Sequence, residues 1–253
     1  MAHNFRQNDI LKTLQQEGKV TVDALAQRFE VTLQTIRRDL AELVETNKIE
    51  RVHGGAILSS GTENIEYDAR RTLNADAKRA MAIACCAQIP HGCSVFLNIG
   101  TSTEAVARQL LRHRDLMVVT NNMNVANILV DNTTCQIIVT GGSLRPSDGG
   151  LTGRVATDVI RQFKFDIAVI GCSAMDDTGD LLDFDVEEVG VSQTIIGQAR
   201  RSILVADQSK LSRTAPVRIA SMQSLDAVIT DTSFPQSLRA KCAEWETELI
   251  VAD

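Results

Sequence analysis

Residues 21–55 read TVDALAQRFEVTLQTIRRDLAELVETNKIERVHGG. The pattern predicts a helix over 22–29, a tight turn at Glu30-Val31, a second helix over 32–47 and a short basic hairpin over 49–58. In the second helix Ile36, Leu40, Leu43 and Val44 recur at helical spacing and mark one buried stripe. Thr32 stands just ahead of that periodicity as an N-cap. Gln34, Thr35, Arg37 and Arg38 fall off the stripe, near the helix N-terminus. In a helix-turn-helix this is the part of the second helix that meets base edges in the major groove. Arg suits guanine, Gln suits adenine, and Thr meets the thymine methyl group. Lys48, Arg51 and His53 lie in or beside the hairpin, where a wing reaches phosphates or the adjoining groove. A solvated helix pair can also carry two arginines. The order of parts favours DNA: a short helix, a short turn, then a helix opening on small polar residues.

Working outward, residues 8–16 form a first helix with Ile10, Leu11 and Leu14 on one face, and Gly18 ends it. Lys19–Thr21 reads as a short strand able to pair with the hairpin. Residues 1–58 are therefore expected to be a winged helix-turn-helix domain with double-stranded operator DNA as its partner.

Charge alone would not have suggested this. The chain has 253 residues, is 44% hydrophobic, and carries a formal net charge of −6. Its first 58 residues balance eight basic against eight acidic side chains, and the remainder holds 18 basic and 24 acidic ones. The DNA reading rests on where Arg37, Arg38, Lys48 and Arg51 stand. A head with so little positive charge gains affinity from valency, so a homo-oligomer, dimer or tetramer, is expected. No apolar run approaches the roughly 18 residues of a membrane span. The first residues also lack a signal peptide's apolar stretch, so a cytoplasmic chain with no membrane partner is expected. The six cysteines form no C-x-x-C pair, and the four histidines are scattered. That pattern predicts reduced, buried thiols and neither metal nor cofactor.

Residues 59–75 open on a small polar stretch and read as a linker. From residue 76 to 253 short apolar runs alternate with helical patterns. The strand-like runs are 94–98, 117–120, 136–140, 167–171, 203–206, 227–230 and 249–251. Such alternation predicts an α/β domain built on a mostly parallel sheet. Ligands of such sheets sit beyond the carboxyl ends of the strands. Those ends carry small polar residues here. Asn98, Gly100, Thr101, Ser102 and Thr103 form a turn that opens a helix, a ready phosphate cradle. Thr101-x-x-Glu104 reads equally as a capping box. Thr120, Asn121 and Asn122 follow the next strand. Gly141 and Gly142, with Arg145 nearby, follow another, and Lys210 follows a later one. Together they suggest a small phosphorylated metabolite.

The run VTLQTIRRDLAELVETNKIERVHGGA resembles the N-terminal signature of the DeoR family of bacterial repressors, with TIRRDL and RVHGGA as its core. The likeness continues through IGTSTEAVARQLL, LMVVTNNMNVANIL, GGSLRPSDGGLTG and LLDFDVEEV. It implies a repressor whose sensor domain resembles sugar-phosphate isomerases and responds to a phosphorylated metabolite, with glycerol 3-phosphate the first candidate. By that resemblance the Gly100–Thr103 loop matches the isomerases' phosphate loop, and Lys210 in ADQSK matches their ligand-contacting lysine. The rival reading is an isomerase acting on pentose phosphates. Proton transfer would need a carboxylate base at the ligand. The matching strand end, Ile170-Gly171-Cys172-Ser173-Ala174, has no acid, so no catalytic residue is assigned. Asp183, Asp185 and Glu188 are read as groups for ligand hydroxyls or as plain loop carboxylates. Where the family commonly shows basic residues after EEV, this chain has Gly190-Val191-Ser192-Gln193.

Overall fold

The apolar stripes of the first 58 residues converge on one small core. The computed structural model describes residues 2–17, 19–45, 49–52, 54–58, 64 and 67–252. The head contains α1 (Ala2–Glu17), β1 (Lys19–Thr21), α2 (Val22–Arg28), α3 (Leu33–Glu45), β2 (Ile49–Val52) and β3 (Gly55–Leu58). The strands pair antiparallel in the order β1-β3-β2, so Lys19–Thr21 does join the hairpin. Ile10, Leu14, Leu25, Ile36, Leu40, Leu43 and Ile49 fill the core, with Val44 packed at its edge. Thr32 caps α3, its hydroxyl accepting from the Thr35 N–H at 3.2 Å. The two glycines of the hairpin do different work. Gly54 supplies a turn at φ +76°, whereas a Cβ on Gly55 would stand 1.9 Å from the Val20 carbonyl oxygen. Only glycine lets β1 approach β3 there. Periodicity does not reveal one further tie: Asp39 of α3 is fully buried and receives two hydrogen bonds from the Arg6 guanidinium, clamping α1 to α3.

After the head come α4 (Tyr67–Thr72) and α5 (Ala75–Ala87). The alternation then runs β4 (Ser94–Leu97), α6 (Thr101–Leu110), β5 (Met117–Thr120), α7 (Met123–Leu129), β6 (Gln136–Val139), β7 (Ser143–Arg145), β8 (Gly150–Thr152) and α8 (Arg154–Ile160). It continues with β9 (Phe165–Ile170), β10 (Ala174–Met175), β11 (Asp180–Asp183), α9 (Val186–Gln198), β12 (Ala199–Val205), β13 (Val217–Ser221), β14 (Ala227–Thr230), α10 (Gln236–Glu244) and β15 (Glu248–Val251). The seven apolar runs all become strands of one parallel sheet, ordered β15-β14-β12-β9-β4-β5-β6. Successive side chains point to opposite faces. Val95 and Leu97 thus pack with α5, α6 and α7, and Phe96 packs with α8 and α9. From β4 the chain runs outward through β5 to β6, then returns to lay β9 on the other side of β4. The switch point of the sheet therefore lies between β4 and β9.

Two small antiparallel pieces were not foreseen, the β7-β8 hairpin and the β10-β11-β13 sheet. Their strands have two to five residues and carry no apolar alternation long enough to read. Part of the stretch read as linker is also packed. The Tyr67 hydroxyl of α4 donates to Glu104 of α6 at 2.9 Å. All six cysteines are free thiols. No helix among the described residues is long and apolar enough to cross a membrane.

Candidate functional site

On the head, α3 presents Gln34, Arg37 and Arg38 outward from the face opposite its buried stripe. Arg38 is largely exposed and lies 3.3 Å from Glu42. The Thr32 and Thr35 hydroxyls stand 2.9 Å apart and bond to each other at the N-terminus of α3. Arg51, on β2, donates to the Arg37 carbonyl oxygen at 2.7 Å and so ties the wing to the helix. Arg37, Arg38 and Arg51 lie exposed on the head and carry guanidinium groups of a kind suited to base edges and phosphates. Lys48 and His53 lie outside the described residues.

At the switch point of the large sheet, the ends of β4 and β9 enclose a cavity of about 30 Å³. Its lining combines Ile99, Gly100, Thr101 and Ser102, the Gly171 to Ser173 strand end, Lys210, Asp183, Glu188 and Arg70 of α4. Gly100 turns the chain at φ +144°, and α6 starts at once, so its first N–H groups face the cavity with the positive end of the helix dipole. Burial, with the nearby Arg213 charge, lowers the Lys210 pKa to about 8. Burial and the Asp183 charge raise the Glu188 pKa to about 7, overcoming the opposing pull of Arg145. Burial likewise raises Asp183, whose carboxylate accepts from Ser173 Oγ at 3.1 Å and the Phe184 N–H at 2.7 Å.

The sequence-level candidates separate on this geometry. Gly100, Thr101, Ser102, Glu188 and Lys210 meet at the cavity. The side chains of Asn98, Thr103, Thr120 and Asn122 are spent on the scaffold around it. Asn98 donates to Ser192 Oγ at 2.8 Å, Thr103 donates to the Asn98 carbonyl at 2.6 Å, and Thr120 to the Leu97 carbonyl at 2.7 Å. Asn122 caps α7 by accepting from Asn124 N–H at 2.9 Å. Asn121 donates to the Leu151 carbonyl at 3.1 Å, and its own side-chain oxygen is buried without a partner among the described residues. Gly141 and Gly142 shape the turn into β7; a Cβ on Gly142 would lie 2.5 Å from the Thr152 carbonyl oxygen. Arg145 is a clamp. It donates to Asp148 and Asp185 at 2.8 Å and to Glu188 at 2.6 Å, binding the β7-β8 hairpin to the start of α9. Burial would lower its pKa, but those carboxylates outweigh it and hold it raised. Asp185 also caps α9, accepting from the Glu187 N–H at 2.8 Å.

Sequence reasoning missed Arg70, Ile99, Cys172 and Ser173 as lining residues, and it left Asp183 undecided. Gly171 to Ser173 follow an apolar strand, a signal that could have been used. Nothing in the sequence announced Arg70, because a charged helix beside a linker looks solvated. No group of His, Cys, Asp and Glu among the described residues is arranged to hold a metal ion.

A winged helix-turn-helix head ahead of a parallel α/β domain with a charged cavity at its switch point defines a class: a DNA-binding regulator with a sensor domain. Residues 6–62 match the DeoR-like helix-turn-helix domain, and residues 73–232 match the DeoR C-terminal sensor domain. The chain is 43% identical to the glycerol-3-phosphate regulon repressor of Escherichia coli over 238 residues, 94% of each chain. It is 39% identical to the repressor of the same description from Haemophilus influenzae over 253 residues, 100% of this chain and 98% of the other. Among solved structures, a D-ribose-5-phosphate isomerase in complex with phospho-erythronic acid aligns with a TM-score of 0.40 at 17% identity, covering 54% of each chain. The sequence matches decide the assignment: the protein belongs to the DeoR family. It is a DeoR-type transcriptional repressor, not an enzyme.

Proposed function

We propose that the protein represses a glycerol or carbohydrate catabolic operon and is released from its operator by a small phosphorylated metabolite, with glycerol 3-phosphate the leading candidate. The observation that carries this reading is the polarity of the cavity. Its lining offers the α6 N-terminus and Lys210, which suit a phosphate. The same lining offers Asp183 and Glu188, which accept hydrogen bonds from hydroxyls. A phosphorylated polyol carries both kinds of group. The names of the relatives from Escherichia coli and Haemophilus influenzae support the same effector.

In this reading residues 1–58 bind DNA, 59–75 connect, and 76–253 sense the effector and assemble a homo-oligomer in the cytoplasm. A symmetric oligomer reads half-sites about one helical turn apart, roughly 34 Å. The effector shifts the population toward a state whose heads fit the operator poorly, to the extent that it binds that state more tightly. Thermal unfolding against a panel of phosphorylated metabolites tests the proposal, with inorganic phosphate as control and operator binding measured alongside. A native-state ligand raises the midpoint by mass action. A selective rise with glycerol 3-phosphate, matched by operator release, is expected. A rise with another sugar phosphate alone would reassign the effector, and no rise with any of them would sink the sensing role.

A further inference from the structure

One wall of the cavity does not belong to the sensor sheet. Arg70 comes from α4, the first described helix after the head, which buries no residue of its own. Polar ties hold α4 down: Tyr67 on Glu104 at 2.9 Å, Arg70 on Asp148 at 3.4 Å, and the Lys78 ammonium on the Leu73 carbonyl at 2.7 Å and on the Arg70 carbonyl. Elements held mainly by a few polar bonds open most readily.

Arg70 is poorly served where it stands. Its Nε is buried with no hydrogen-bond partner among the described residues, a costly state for a guanidinium donor. Its bond to Asp148 is long because Asp148 already receives two bonds of 2.8 Å from Arg145. Its charge also opposes that of Lys210, across a cavity whose third donor group is the α6 N-terminus. A phosphate between them would accept from all three. The cavity, at about 30 Å³, has room on the scale of a few waters, far below the roughly 300 Å³ of a formed small-molecule site. A phosphorylated polyol therefore needs a wall to yield. The sheet-borne walls are packed into two cores, whereas α4 is not. The connector touches the cavity a second time through Asn64, which donates to Ser173 Oγ at 2.8 Å.

We propose that Arg70 is a phosphate ligand delivered by the connector: the effector draws Arg70 from Asp148, shifts α4, and thereby alters the segment leading to the DNA-binding head. This rests on the cavity being the effector site. The contact exists in one arrangement of α4 only, which gives the effector the differential affinity that a population shift requires.

The test uses the full-length chain, with calorimetric titration of glycerol 3-phosphate into wild type, Arg70→Ala and Lys210→Ala, and hydrogen exchange across residues 67–74. Arg70→Ala should bind the effector about 10- to 100-fold more weakly, the range for a lost charged hydrogen bond. Exchange across 67–74 should rise when wild type binds effector. If Arg70→Ala fails to fold, Arg70→Gln, which keeps a donor for Asp148, carries the same expectation. Wild-type affinity in the folded Arg70 variant, with Lys210→Ala impaired, overturns the role of Arg70 and leaves the effector site standing. Unchanged exchange overturns the coupling through α4. If wild type binds none of the metabolites, both proposals fall.

Discussion

The head and the sensor cavity both gather charge, and they treat it in opposite ways. In the head, buried charge is neutralised in place: Arg6 meets Asp39, while Arg37, Arg38 and Arg51 face outward. In the cavity both signs are disfavoured at once. Lys210 is pushed down to about 8 while Glu188 is pushed up to about 7. Both groups line the same small cavity, and burial outweighs the partners that each of them has. A surface that reads DNA can leave its charges in solvent until counterions are exchanged for phosphates. A pocket that must answer to a small molecule gains by holding charge in an unsettled state that the ligand resolves.

Breaking the neutralised pair should have the largest effect. Arg6→Ala removes the guanidinium that clamps α1 to the buried Asp39 of α3, and breaking a buried pair of this kind costs about 3–5 kcal/mol. The expected outcome is a head unfolded or nearly so, operator binding lost, and a sensor domain that glycerol 3-phosphate still stabilises. Thermal unfolding with and without effector checks both halves. An unshifted midpoint together with intact operator affinity would show that the clamp between α1 and α3 contributes little.

Breaking the unsettled charge should act on binding and leave the fold alone. Lys210→Ala should cost about 1.5–3 kcal/mol of effector affinity and leave the operator complex unchanged. The same lysine sets a pH dependence. Its folded-state pKa of about 8 lies below the ordinary 10.5, so above pH 8 the folded chain has released a proton that the unfolded chain still holds. Stability of the unliganded protein from this group therefore rises with pH across that window. Effector affinity moves the other way, because the phosphate needs the ammonium, and should fall as pH rises past 8. Lys210→Arg, which stays charged, should flatten that fall. Calorimetry between pH 7 and 9 measures it, and a flat wild-type profile would remove Lys210 from the phosphate site.

How much of this was legible follows the range of the interactions. The recognition helix and the seven parallel strands depend on local periodicity, and Ile36, Leu40, Leu43 and the apolar runs declare them within a few residues. That Gly100, Thr101, Ser102 and Lys210 line one cavity was legible because topology places strand ends together. Asn98, Thr103, Thr120 and Asn122 have the same small polar character, but their side chains close turns and caps, and composition cannot separate a cap from a ligand contact. Arg6–Asp39 and Arg70 were out of reach. One spans 33 positions, and the other depends on how α4 settles against a sheet formed much later in the chain.

The smallest effect should come from the exposed side of the comparison. Arg38 lies on the outward face of α3, 77% exposed, and pairs with Glu42. An exposed pair of that sort contributes little to stability, so Arg38→Ala should leave the unfolding midpoint in place. Its cost should appear at DNA, as about 1 kcal/mol of operator affinity and weaker discrimination at one base pair. Arg51→Ala should differ in kind. Arg51 braces the wing against the Arg37 carbonyl and, in the reading proposed above, stands on the element that meets phosphates, so its loss should weaken all sequences alike and reduce the salt slope by about one. Operator titrations at several salt concentrations, with single base-pair variants, separate the two. If Arg38→Ala weakened every sequence equally, α3 would be positioning the head on the backbone, and base recognition would have to lie elsewhere on its surface.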